Sequence, residues 1–141
     1  MQYIIIATIF ITNILTVNII AQEVWISNLG VYFPVEKFMI CKENVKPGRY
    51  VSFSESGDTY YELTLWKSNE NYSAEFSSGY VEDENKEIIK LNNFSIKGGK
   101  INSEIISGTL SCLAFNKKNI SGFLIKNPFA PNEKIFLEYL N

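Results

Sequence analysis

"SGDTYYELTLWKSNENYSAEF", residues 56–76, holds five aromatic side chains in 21 positions and reads as two short strands around a turn. Its register decides which side chains face inward. With an even-length loop centred on Asn69 and Glu70, Leu65 faces Ala74, Leu63 faces Phe76, and Tyr61 joins that face. The opposite face carries Glu62, Thr64, Ser73, Glu75 and Ser77. Strand side chains alternate with a period of two, so a one-residue slip would set Leu63 and Leu65 beside serines and glutamates. The even register is therefore expected, and it leaves Tyr60 and Trp66 on the polar face.

Outward from this hairpin the strand pattern continues. Runs at 48–54, 59–67, 72–80, 87–97, 100–106, 109–116, 119–126 and 133–140 are separated by turn residues at short intervals. Eight runs with no helical pattern between them predict an all-β antiparallel meander, as a sandwich or a barrel. In "FSIKGGKINS" (94–103), Gly98-Gly99 supplies the positive φ values of a primed two-residue turn. Ile96 then faces Ile101, and Lys97 faces Lys100, a like-charge pair that belongs in solvent. Farther from the turn, Leu91 and Ile106 meet on the other face, with a bulge near Asn92 and Asn93. "TLSCLAFNKKNISGFLI" (109–125) is apolar on both faces; around a four-residue NKKN loop Phe115 meets Ile120 and Leu113 meets Gly122. A strand pair buried on one side only would alternate, so this hairpin needs cover on both sides.

The expected cover is a short helix, Pro34 to Glu43. Proline suits a first helical position, and Val35, Phe38 and Met39 fall on one helical face. Residues 22–33 read as irregular or as one short strand. Docking the helix on the 109–125 hairpin brings Cys41 towards Cys112. These two are the only cysteines, and they read either as a disulfide of a secreted domain or as two buried thiols.

The first 21 residues contain no charged side chain and end at Ala21 before Gln22. That pattern predicts a secretory signal peptide cleaved after Ala21, with one barrel domain over 22–141 and a secreted or periplasmic location. The net charge of −2 supplies no cationic footprint for nucleic acid and no polybasic attraction to membranes.

With no histidine in the chain, Ser-His-Asp and Cys-His machinery is impossible within it. Two cysteines 71 positions apart make no zinc site, and no metal or cofactor is expected. The acidic run "VEDENKE" (81–87) lacks calcium-loop spacing and reads as a solvated loop. Glu62 and Glu75 are diagonal neighbours on one face, and without a pocket they read as surface glutamates rather than as a glycosidase pair.

"KPGRY", with Gly48-Arg49-Tyr50, resembles the Gly-x-Trp that opens the first strand of lipocalins, with Tyr in place of Trp. The strand plan over 48–141 likewise resembles the lipocalin and fatty-acid-binding group. That resemblance implies an eight-stranded antiparallel barrel preceded by a short helix. It implies binding of a small apolar or amphipathic ligand at the barrel mouth, without enzymatic activity. The expected ligand-binding residues are Tyr61, Leu63, Leu65, Phe76, Phe94 and Ile96, and such a binder should hold a cavity of roughly 300 Å³ or more. The alternative is a protein-binding module of the inhibitor or immunity type, with a filled barrel and contacts through Tyr60 and Trp66. For those two residues, cross-strand stabilisation or cover by Trp25 and Tyr32 is the stronger reading.

Overall fold

The structure, a computed structural model, describes residues 22–140; the expected cleavage site after Ala21 lies outside the described residues. The fold is all-β and antiparallel. Its elements are β1 (Glu23–Ile26), β2 (Val31–Pro34), β3 (Met39–Ile40), β4 (Gly48–Phe53), β5 (Thr59–Ser68) and β6 (Asn71–Tyr80). They continue with β7 (Lys86–Leu91), β8 (Ser95–Lys97), β9 (Lys100–Asn102), β10 (Gly108–Phe115), β11 (Lys118–Lys126) and β12 (Lys134–Leu140). One strongly curled half-barrel sheet runs β7-β6-β5-β4-β12-β11-β10-β9-β8, and β3 adds to β10.

The register of the quoted hairpin is as read: Leu65 pairs with Ala74 and Leu63 with Phe76, with Asn69 in the left-handed region at the turn. Ile96 pairs with Ile101 and Lys97 with Lys100 across a Gly98-Gly99 turn in which both φ values are positive. The β10–β11 turn is tighter than expected. Asn116 and Lys117, at φ 47° and 65°, form a two-residue turn, so Phe115 pairs with Lys118 and Leu113 with Ile120. A primed turn matches the strand twist, which a four-residue loop does not require. The shift is by two residues, so each side chain keeps its face.

The run at 87–97 is two strands. Asn93, at φ 54°, turns the chain, and β7 and β8 end on opposite edges of the sheet instead of forming one bulged strand. The half-barrel therefore has a seam between β7 and β8, joined by only three residues of chain. Side chains bridge it, because Leu91, Ile101 and Ile106 belong to one buried cluster.

No helix spans Pro34 to Glu43. Pro34 and Phe38 are extended, and between them lies a single 3-10 turn, Val35–Lys37. A ten-residue helix has little stability of its own. An open sheet edge competes for its backbone: β9 pairs with Gly108 and Thr109 only, and β3 takes the next places on that edge, opposite Ser111 and Cys112. Residues 22–34 form the β1–β2 hairpin around a turn with Gly30 at φ 65°. This hairpin and the Val35–Phe38 turn supply the outer cover. Val24 and Ile26 are buried with Leu113, Leu124 and Phe136, and Phe33, Val35 and Phe38 pack against them.

The concave face holds the main core, with Tyr50, Leu63, Leu65, Phe76, Phe123 and Leu137 among its buried members. Cys41 and Cys112 form a disulfide with Cα atoms 5.1 Å apart. The pairing follows from strand addition of β3 to β10, not from a docked helix.

Candidate functional site

The six residues expected to bind a ligand do come together on the concave face. Leu63 and Phe76 have no exposed surface, Leu65 almost none, and Tyr61, Phe94 and Ile96 pack against the same cluster. Leu63, Leu65 and Phe76 are enclosed by core side chains, while Ile96 and Tyr61 also reach the walls of surface clefts. Tyr61 stacks on Phe76 at 6.1 Å, Phe76 meets Phe129 at 6.2 Å, and Tyr50 meets Phe123 edge-on at 4.8 Å. A ligand among these side chains would have to displace close-packed core.

Tyr60 and Trp66 lie on the convex face but are not one patch. Six residues along a strand separate them by about 20 Å. Tyr60 pairs with Gly79, and a Cβ on that glycine would sit 3.3 Å from the tyrosine hydroxyl. The ring thus fills the space a side chain would occupy on β6, which is the cross-strand role. Trp66 pairs with Ser73, and 48% of its surface is exposed. Between them, Glu62 is buried and pairs with the Arg49 guanidinium from β4. The carboxylate pushes Arg49 further above its already high ordinary value. Glu75 sits opposite Thr64 and Lys90.

Four strands and loops build the end of the half-barrel beside Trp66. After Cys41 the chain crosses that end to Gly48 as a strap. Three tyrosine hydroxyls donate to its successive carbonyls: Tyr72 to Val45 at 3.1 Å, Tyr50 to Lys46 at 2.7 Å and Tyr139 to Pro47 at 3.3 Å. Burial pushes the Tyr50 hydroxyl up to about 12. The strap, the β5–β6 tip and the Gly98-Gly99 turn enclose a cleft of about 510 Å³, lined by Lys42, Lys67, Tyr72 and Ile96 among others. Sequence reasoning missed this cleft, because nothing local links residues 41–47 to the tips of two distant hairpins.

Two smaller features sit elsewhere. A cleft of about 140 Å³ is lined by Trp25, Tyr32, Phe53 and Tyr61, with the buried Asn127 at its wall. The Trp25 Nε1–H is buried there without a partner, while Tyr32 donates to Glu55 at 2.6 Å. On the convex face a groove of about 320 Å³ runs past Ser27, Val51, Phe53 and Leu140. At its edge, burial raises the Glu138 carboxyl above its ordinary value, against hydrogen bonds from Asn28.

The fold and these surfaces define a small curled all-β domain with a filled concave core. No known protein family, curated protein or solved structure matches the chain. Among the described residues no cluster of metal-ligating side chains occurs, and no helix is long and apolar enough to cross a membrane.

Proposed function

We propose that this chain is a secreted or periplasmic protein-binding module of the inhibitor or immunity type, on a lipocalin-like scaffold. Its contact surface is the Trp66 end of the half-barrel. One observation carries the reading: the concave face is largely packed by its own side chains, while Trp66 stands half exposed on the convex face at the end of the half-barrel that also carries the exposed Leu140. Tryptophan is among the residues most enriched as anchors of protein interfaces. The Cys41–Cys112 disulfide suits the oxidising compartment that this reading requires.

Trp66 is exposed and pairs only with Ser73, so Trp66→Ala should leave the fold intact. Affinity capture with the wild type and with Trp66→Ala, each checked for identical circular dichroism and melting, tests the reading. A single protein retained by the wild type and lost by the variant supports it. Equal retention by both removes Trp66 from the contact surface.

A second reading keeps the small amphipathic ligand but moves it to the cleft of Trp25, Tyr32, Phe53 and Tyr61. The unpartnered Trp25 Nε1–H favours it, because a buried donor costs about 1–3 kcal/mol until an acceptor arrives. Anilinonaphthalene sulfonate separates the two readings. Stoichiometric dye binding by the folded protein, abolished in Tyr61→Ala, favours the ligand reading; no binding favours the protein contact.

A further inference from the structure

The sheet topology sorts the charges of this chain by end, although its net charge is only −2. The end with the strap and the hairpin tips 69–70 and 98–99 carries Lys42, Lys46, Lys67, Lys97 and Lys100, with Glu43 and Glu70 as its nearby acids. Lys117 and Lys118 cap the neighbouring β10–β11 tip at the same end. The opposite loops carry Glu55, Asp58, Glu82, Asp83, Glu84 and Glu104. Among the described residues the single ion pair is Arg49–Glu62, so none of these lysines is held by a carboxylate. Two of them rest over aromatic rings instead, Lys46 on Tyr139 at 5.8 Å and Lys67 on Tyr72 at 5.5 Å.

We infer that this basic end docks an acidic, extended segment of a partner protein in the cleft of about 510 Å³, with Tyr72 and Ile96 as the apolar contacts in its wall and Trp66 on the convex face of the same end. The inference rests on the protein-binding reading above and adds the chemistry of the partner. Lys42 and Lys67 line the cleft with one acid, Glu43. With Lys46, Lys97 and Lys100 on the same end they leave an excess of positive charge that focuses the field on an anion and raises its encounter rate. Three features select a polypeptide over a plain polyanion. The cleft wall includes Ile96 and Tyr72, which suit apolar side chains between carboxylates. β8, to which Ile96 belongs, pairs with β9 on one side only, so its other edge offers backbone groups to an extended chain. The acidic loops at the far end repel a polyanion long enough to wrap the molecule.

The probe is a fluorescein-labelled octapeptide of glutamates with one central phenylalanine, read by anisotropy against the full folded protein. Lys67→Glu combined with Lys97→Glu should weaken binding at least tenfold; both side chains are exposed, so the fold tolerates them. Lys86→Glu combined with Lys134→Glu, at the other end, should change affinity less than twofold. Raising salt from 20 to 300 mM should weaken binding about tenfold or more. Equal losses from the two double variants overturn the inference. Tighter binding of heparin fragments or inorganic polyphosphate than of the peptide also overturns it, in favour of a general polyanion site. A salt-sensitive rise in molar mass without peptide overturns it in favour of pairing between the two ends of this chain's own copies. If Trp66→Ala weakens peptide binding but the lysine reversals do not, the protein-contact reading stands and the charge inference falls. If the lysine reversals act and Trp66→Ala does not, the Trp66 contact falls instead.

Discussion

At the scale of single residues, parity was the part of the fold that could be read. Leu63, Leu65, Ala74 and Phe76 are all buried because only one register keeps apolar side chains on one face. The same logic survived the shortened β10–β11 turn, since a two-residue shift changes partners without changing faces. What parity does not reveal is what a hydroxyl on the inner face does. Tyr50 is buried among Phe123 and Tyr139, and its hydroxyl reaches out of the core to the Lys46 carbonyl. Burial raises its folded value to about 12 from an ordinary 10.0, so the fold favours the neutral phenol. The sign follows directly: this stabilisation is fully present below pH 10 and is lost as pH rises towards 12. The loss is on the order of 2–3 kcal/mol. Tyr50→Phe should cost about 1 kcal/mol at pH 7 for the missing hydrogen bond. It should also flatten the alkaline limb of stability. Urea unfolding of both proteins at pH 7, 10 and 11 checks this; parallel losses in the two would remove Tyr50 as the source.

Elements were legible where their signal was local and illegible where an edge elsewhere decided the outcome. The Gly98-Gly99 hairpin formed as read because its two glycines fix the turn by themselves. The segment from Pro34 to Glu43 did not, because its amphipathic pattern competes with an unfilled edge on β10 that lies about 70 residues further along the chain. The approach of Cys41 to Cys112, read as either a disulfide or two buried thiols, is a disulfide reached by another route: the element that carries Cys41 there is a strand of two residues added to β10, and Cys41 follows it directly. Such a short strand has little independent stability, so the bond should hold it in place. Closing a loop of 71 residues restricts the unfolded chain and stabilises the fold by about 4 kcal/mol in the chain-entropy model. Cys41→Ser with Cys112→Ser should lower the melting temperature markedly. Hydrogen exchange should show β3 and the strap losing protection well before β5 and β6. Loss of protection spread evenly over the sheet would argue against a local role.

For the whole molecule, the all-β class and the antiparallel direction were legible, but the strand count, the curvature and the charge distribution were not. The expected eight strands are twelve, because the 87–97 run splits at Asn93 and residues 22–40 add three short strands. Curvature and charge distribution depend on which strands become neighbours. The chain places β7 and β8 three residues apart in sequence and at opposite edges of the sheet, and their facing edges make no backbone pairing. The half-barrel is thus held across its seam by side chains such as Leu91, Ile101 and Ile106 rather than by a hydrogen-bond ladder. Unpaired edges usually invite association with other chains. Here the charged side chains of Lys86, Glu87, Lys90 and Lys97 guard them, and the exposed Ile88 is the gap in that guard. This arrangement sets an order of local stability. Strands β4, β5, β11 and β12 pair on both sides and carry the buried core, so their amides should exchange only on global unfolding. Amides of β7 and β8 that point into the seam should exchange faster by orders of magnitude while the protein remains folded. Residue-resolved exchange by nuclear magnetic resonance measures both sets at once. Fast exchange confined to the seam supports an open half-barrel whose edge is available to an incoming strand. Uniform protection across β7 and β8 would mean that the sheet closes on itself in solution, and the edge contribution to peptide docking would then have to be given up.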